Sequence, residues 1–334
     1  MAEPLVTVVI PNYNGMKFLP HLMKSLAEQT DSRFSIVVVD DTSTDDSTAY
    51  LKEKWPRVRL MCNERNLGFA ASCNRGLRAA TTPLVALLNN DTHVDPNWLS
   101  EAVRAFDHHT IGSVASLVLL ADPPHRVDTA GDVYSVAGGA LKRHHLQPRE
   151  TIAGLDASCT SASGASAFFR REAVAAVGYL DERFESYYED VDLGLRLAWA
   201  GHRCRFAPKS ICYHHLSASY HPKGWRYHFN SARNAEIVWW SHLPAKLRRR
   251  FLLSHLCFLV LQSGNKLRQG CLRPYLAGKW AALAHRRHIL EKRMANDTWN
   301  AGGGETIESL LVRDWWRLHV ASRWKAPQPG ARQP

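Results

Sequence analysis

The chain has 334 residues, 45% of them hydrophobic and 22% charged, a balance that excludes collagen-like and disordered chains. That length suits one large domain or two ordinary ones. The formal net charge of +11 calls for an anionic partner, which nucleic acid, an anionic membrane face and a phosphorylated small molecule all satisfy.

The first hundred residues alternate between two periods. Short β-branched runs, LVTVVI (5–10), SIVVVD (35–40), VRLMCN (58–63) and LVALLN (84–89), are strands. Between and after them, FLPHLMKSLAEQ, DSTAYLKEKW, GFAASCNRGLRAA and NWLSEAVRAF carry helical spacing. Apolar strands alternating with helices of this length predict a mostly parallel sheet covered on both faces, joined by right-handed crossovers into a doubly wound α/β layer. Residues 120–160, rich in Pro, Gly and His, read as loops with a short hairpin. Order returns at GASAFFRREAVAAVG and EDVDLGLRLAWAG. From about 225 the chain is helical, tryptophan-rich and basic: residues 242–293 hold twelve Lys and Arg against one acid, Glu291. KAPQPGARQP, at 325–334, reads as a disordered tail.

The N-terminal stretch reads as a first strand rather than a signal peptide, and no apolar run reaches the roughly 18 residues that span a bilayer. Seven scattered cysteines without a C-x-x-C pair suggest reduced thiols in a cytosolic protein.

Three polar clusters follow directly on strands: PNYN (11–14), DDTSTDDS (40–47) and NND (89–91). Asx-rich strand exits are ordinary turns one at a time. Three on the carboxyl edge of one parallel sheet outline a ligand cleft, where such folds bind their ligands. Within DDTSTDDS, Ser43 or Thr44 is a candidate N-cap, with Asp45 and Asp46 in the first turn. Asp40 and Asp41 precede the cap and are left for a ligand, such as the imide N–H of a uracil or thymine. Neither G-x-G-x-x-G nor a P-loop occurs, so bound phosphates would need a metal to neutralise them.

ERFESYYEDVDLGLRLAWAG (182–201) places Glu189 and Asp190 near a helix start and Gly201 just past its end. The two acids are either dipole-favoured N-terminal residues or a catalytic base raised by burial and its neighbours. Asp192 and Arg196, spaced i,i+4, suit a pair on the helix surface. His214 and His215 follow a strand-like run, and imidazole beside a single carboxylate suits Mn²⁺ or a similar ion.

Taken in order, these segments together with YHHLSAS and SARN resemble family 2 glycosyltransferases. These are inverting enzymes of the GT-A nucleotide-diphospho-sugar fold, and the likeness runs from residue 6 to about 235. LNxDT and YYEDVDLGLR are most similar to bacterial rhamnosyltransferases. The resemblance implies a GT-A catalytic domain over 1–224, divided at about 120 into donor-binding and acceptor-side halves. A helical basic region would follow over 225–322, with the tail beyond.

It also implies roles. Asp41 would read the nucleobase over a floor of Pro11 and Asn12, with Asn66 and Gly68 lining the donor pocket beside Asn90. Asp91, the last acid of a D-x-D whose first position is Asn89, would bind Mg²⁺ or Mn²⁺. His214, opening an H-x-x-S pattern that ends at Ser217, would complete the metal site. Asp190 would be the catalytic base, with Glu189, Gly164 and Arg170 toward the acceptor. The implied donor is dTDP-rhamnose, with UDP-galactofuranose or a UDP-hexosamine as alternatives, and the acceptor a glycan or lipid-linked glycan of the bacterial envelope.

Basic flanks around FLLSHLCFLVL (251–261) fit docking to an anionic membrane face, here the cytoplasmic face of the plasma membrane, or a homodimer interface. A nucleic-acid-binding protein is the competing class. Acids in the cleft oppose it and no recognition motif appears, so no nucleic acid is expected.

Overall fold

The computed structural model describes residues 3–216, 224–299 and 307–316. Strand β1 (Val6–Asn12) leads through α1 (Leu19–Ala27) to β2 (Phe34–Asp40), then α2 (Ser47–Lys54), β3 (Arg59–Cys62), α3 (Phe69–Ala79) and β4 (Leu84–Leu88). β1 pairs in parallel with both β2 and β4, and β2 with β3. This half is the doubly wound layer expected from the alternation. Along β1 the side chains part by the strand period of two. Val6, Val8 and Ile10 join a core with α1 residues Leu19, Leu22 and Leu26, whereas Val9 joins Cys73 and Leu77 of α3 on the other face.

The second half departs from a parallel layer. It runs β5 (Thr92–Val94), α4 (Trp98–Arg104), β6 (Ile111–Leu120), β7 (Val127–Thr129), β8 (Asp132–Ser135), β9 (Ala140–Lys142), β10 (Ser158–Cys159), β11 (Ser166–Arg170), α5 (Arg171–Ala176), α6 (Glu189–Trp199) and β12 (Arg203–His214). The main sheet is ordered β10-β12-β6-β11-β4-β1-β2-β3, and β11 runs antiparallel to both of its neighbours. β5 is antiparallel to β12 and β7 to β6. β8 and β9 form the short hairpin expected in the loop-rich stretch.

Helices α7 (Trp225–His242), α8 (Ala245–Arg268), α9 (Leu272–Ala284) and α10 (Arg286–Trp299) follow, then α11 (Ile307–Leu310) and β13 (Leu311–Val312), which pairs with β8. Among the described residues, no helix is long and apolar enough to cross a membrane. A third core, with Tyr134, Phe184, Leu195 and Trp239, joins α6 and the hairpin to α7. Buried charge reinforces it. Asp192 Oδ2 accepts from Arg196 at 2.8 Å, and its Oδ1 accepts from Lys292 of α10 at 2.6 Å and lies 2.9 Å from His242 Nε2 of α7.

Two sequence expectations are corrected here. Asp192 and Arg196 do pair, but both are buried rather than on the helix surface. Neither Ser43 nor Thr44 caps α2, because Ser43 Oγ is taken up by Asp40 and Asn12. Asp46 stands at the cap position, and it is Asp45 that accepts from the Ser47 N–H at 3.1 Å.

The outward side of α8 carries Leu253, Leu256, Val260 and Leu267, exposed by 49–73% and spaced to share one face. Exposed Leu276, Trp280 and Leu283 of α9 form a second such stripe.

Candidate active site

All three strand-end clusters and the start of α6 open on one cleft of about 730 Å³. The exits are tied to one another before any ligand is considered. Asn12 donates to Asp40 at 2.8 Å and accepts from Asn90 at 2.9 Å. Gly15 makes this possible, since a Cβ there would stand 2.1 Å from Asn12 Oδ1 and 2.4 Å from Asn90 Nδ2.

Asp41 is nearly consumed by its own loop. Its Oδ1 accepts from the Leu67 N–H at 2.8 Å and from Asn63 at 2.7 Å, and its Oδ2 accepts from the Gly68 N–H at 2.9 Å. A carboxylate offers about four acceptor positions, so about one remains for a ligand. Asn66 reaches back to the Asp41 carbonyl at 3.3 Å. Asn66 and Gly68 thus shape the Asp41 loop, and neither is among the residues lining the cleft.

β4 ends in Asn89–Asp91, and β12, through its pairing with β5, brings His214 beside them. His214 Nε2 lies 3.3 Å from Asp91 Oδ1, and its Nδ1 lies 3.1 Å from Asp128 Oδ2. Burial would lower the His214 pKa, but hydrogen bonds to Asp128 and Asp91 reverse this and raise it to about 9. Burial works against the Asp128 charge, yet Lys142 at 2.7 Å and hydrogen bonds from His145 and His214 hold it well below the usual carboxylate range.

This set suits a divalent cation. A carboxylate and an imidazole nitrogen adjoin, and a second carboxylate orients the imidazole from behind, as in carboxylate–histidine–metal arrangements. The buried Asn89 Oδ1 has no hydrogen-bond partner and can add a neutral oxygen ligand where a full D-x-D has Asp.

Opposite stands Asp190 in the first turn of α6. Its Oδ2 accepts from the Gly164 N–H at 3.0 Å and its Oδ1 from the Val191 N–H at 2.8 Å. Two neighbouring carboxyls are raised, by burial first and then by the charge of Asp190: Glu189 well above its ordinary range, and Asp132 to about 7. Glu189 Oε2 is buried without a hydrogen-bond partner.

The turn into α6 is strained. Tyr187 and Tyr188 both take left-handed backbone angles, at φ 73° and 71°. Asn234 of α7 holds them, its Nδ2 within 3.0 Å of the carbonyls of Phe184, Ser186 and Tyr187. Arg233 donates to the carbonyls of Arg183 and Phe184 at 3.2 Å each.

The family model for Glycosyl transferase family 2 matches residues 7–178, about half of the chain. The chain belongs to this family. Relatives share its pattern at modest identity. It is 31% identical over 226 residues to the O-antigen biosynthesis protein RfbC of Myxococcus xanthus, covering 65% of this chain and 18% of that one. It is 27% identical over 245 residues to the N-acetylglucosaminyl-diphospho-decaprenol L-rhamnosyltransferase of Mycobacterium tuberculosis, covering 64% and 77%. The first curated relatives are much longer proteins, of which the chain matches 18% and 25%.

Among solved structures, the mannosyltransferase PcManGT of Pyrobaculum calidifontis, in complex with GDP-Man and Mn²⁺, superposes with a TM-score of 0.53 at 19% identity, over 91% of this chain and 89% of that one. S. aureus TarS 1–349, in complex with UDP-GlcNAc, gives 0.51 at 20% identity, over 89% and 92%. At these identities the likeness shows the GT-A fold.

Of the residues expected in the site, the cleft gathers Pro11, Asn12, Asp41, Asn90, Asp91, Gly164, Glu189, Asp190 and His214. Arg170 is a correction. It pairs with Leu84 at the start of β4, the end of the sheet opposite Asn89–Asp91. There its guanidinium donates to the carbonyls of Ile111 at 2.9 Å and His108 at 3.1 Å. Ser217 lies outside the described residues, as does the tail.

Sequence reading missed Asp128, Asp132 and Lys142, which sit in the aperiodic stretch. It also passed over the helices beyond 225, whose Ser231, Lys266, Tyr275 and Lys279 line the cleft. The only signal was SARN, whose Arg and Asn brace the turn before Asp190.

Proposed function

We infer that this glycosyltransferase moves a sugar, L-rhamnose in the first instance, from a nucleoside-diphosphate donor to a hydroxyl of a glycan or lipid-linked glycan, with inversion. The observation that carries this reading is that Asp41, the Asp91–His214 pair and Asp190 face one cleft. Asp41 keeps about one acceptor position for the imide N–H of a uracil or thymine, with Asn12 and Pro11 beside it. Asp91, His214 and Asn89 would hold Mg²⁺ or Mn²⁺, which when bound neutralises charge growing on the departing diphosphate.

Asp190 takes the proton of the acceptor hydroxyl. The N–H groups of Gly164 and Val191 fix its two oxygens, and it stands beside two carboxyls, Glu189 and Asp132, that burial raises. Helices α7, α8 and α9 wall the cleft and exclude water from the sugar. The catalytic body then comprises 1–224, with the region from 225 as its cover. The outward apolar stripes of α8 and α9, with Lys246, Arg249, Arg250 and Arg273 exposed nearby, support docking on an anionic membrane where a lipid-linked acceptor is presented.

The deciding experiment is thermal stabilisation by dTDP, UDP and GDP, each with and without Mn²⁺ or Mg²⁺. A ligand at a hundredfold excess over its Kd stabilises by about 2.7 kcal/mol. Metal-dependent stabilisation by dTDP above UDP is the expected order. The reverse order moves the donor to a UDP-sugar, and no shift with any nucleotide overturns the reading.

A further inference from the structure

β5 and β12 are antiparallel, with His93 opposite Tyr213 and Thr92 opposite His214. Alternation along the chain sends His214 to one face of this strand pair and Tyr213 and His215 to the other. His93 shares the face of Tyr213, and their rings stack with centroids 4.7 Å apart. Helix α1 passes here and adds His21, whose ring stacks on His93 at 4.2 Å, while His215 stands 5.5 Å from His93. One ring nitrogen from each of the three histidines lies within 4.8 Å of those of the other two.

We propose that His21, His93 and His215 form a zinc-type metal site, separate in its ligands from Asp91 and His214, which braces the strand tip carrying those two residues. Four-coordinate Zn²⁺ with Zn–N bonds of 2.0–2.1 Å sets its ligand nitrogens about 3.4 Å apart. The three rings, with nitrogens within 4.8 Å of one another, must therefore close by up to about 1.4 Å. His21 is exposed on its helix and can rotate to do so, unstacking from His93. Tyr213 against His93, and Phe18 with its ring 5.1 Å from His215, limit the movement of the other two.

Two chemical features favour a metal over an accidental cluster. His93 Nδ1 is buried without a hydrogen-bond partner, a costly state that coordination of that ring nitrogen would relieve. The three ligands are also all imidazoles, a set that selects Zn²⁺, Ni²⁺ or Cu²⁺ over the oxygen-seeking Mg²⁺. With His21 at the surface, water can take the fourth position.

A metal here ties α1 to both strands of the tip. Occupancy should therefore stabilise the fold without requiring donor or acceptor.

Co²⁺ as a spectroscopic probe, and Zn²⁺ in thermal unfolding, test this on the full untagged chain. The expected result is one equivalent of Co²⁺ with the intense visible absorption of a four-coordinate ion, together with a rise in Tm on adding Zn²⁺. Both should persist in Asp91→Asn. Both should weaken by about tenfold or more in apparent affinity in His21→Ala and in His93→Ala, since loss of a direct ligand should cost at least what loss of an outer-shell partner does. His21→Ala alters an exposed side chain, so a folding defect cannot imitate its effect. Absence of the band in the wild type, its survival in both histidine variants, or its loss in Asp91→Asn alone would each overturn the proposal. Nucleotide binding is a separate measurement, so failure of the donor reading leaves this result standing.

Discussion

The two acidic corners of the cleft treat their carboxylates in opposite ways. At the strand exits, Asp40 and Asp41 are surrounded by donors: Asn12, the Ser43 N–H and its hydroxyl for one, and Asn63 with the Leu67 and Gly68 N–H groups for the other. At the head of α6, Glu189, Asp190 and Asp132 crowd one another, and Glu189 and Asp132 are pushed up. Donor saturation makes a rigid frame that a nucleotide can enter without reorganising it. Burial beside a like charge raises Glu189 and Asp132 instead, the setting of the proposed base Asp190. Chemistry should therefore be far more sensitive at the second corner and stability more sensitive at the first, a contrast that substitutions can break.

The largest effect belongs to Asp190→Asn. Removing a general base costs about 10²–10⁴-fold in turnover. The amide oxygen can still accept from one of the Gly164 and Val191 N–H groups, and the proposed nucleotide contacts, at Asp41 and the Asp91–His214 pair, lie elsewhere, so nucleotide binding should survive. Product formation and nucleotide-induced stabilisation, measured side by side, check this. Near-normal turnover would assign the base elsewhere.

Next is Asp192→Ala, which leaves the buried Arg196 without its acidic partner and Lys292 with Asp181 alone, at 2.9 Å. Breaking a buried ion pair by deleting one partner costs about 3–5 kcal/mol. Urea unfolding should show this loss, because Asp192 joins α6 to both α7 and α10. A cost near zero would mean that the apolar contacts of Leu195, Trp239 and their neighbours dock those helices unaided.

A third measurement uses acid. Burial would raise the Glu236 carboxyl, but His255 and Lys279 outweigh it and lower the pKa from 4.5 to about 2. A depressed carboxylate contributes stability that is complete above its ordinary pKa and is lost as pH falls through the folded value. Wild type should therefore lose up to about 3 kcal/mol more than Glu236→Gln between pH 6 and pH 2. Parallel loss in both proteins would show that this charge does not hold α8 and α9 on α7.

Much of the frame was legible because it is local. Val6 to Asn12, Phe34 to Asp40 and Leu84 to Leu88 announce buried parallel strands by their unbroken apolar runs, and the polar residues that end them mark the cleft. Direction was not legible. The SAFFR run of β11 is equally apolar read either way, and only its slot between β4 and β6 makes it antiparallel. Arg170 was misplaced for that reason, since a reversed strand carries its last residue to the far end of the sheet. Asp128 was hidden differently: its partner His214 is 86 residues away, and nothing in an aperiodic stretch tells a structural acid from a turn. Asn234 supports backbone rather than a side chain, so no spacing rule connects it to Tyr187 and Tyr188.

The smallest effect sharpens the contrast most. Asp41→Asn keeps the size of the side chain but replaces one acceptor oxygen with a donating NH₂. In either orientation that NH₂ faces a backbone N–H, Gly68 in one and Leu67 in the other. One buried donor is left unsatisfied, costing about 1–3 kcal/mol. Because the 66–68 loop leads directly into α3, the loss should appear in urea unfolding of the ligand-free protein. The nucleotide KM should rise with it while kcat changes little, since no group near Asp190 has moved. A variant as stable as the wild type, with only kcat reduced, would reverse the assignment of frame and chemistry between the two corners.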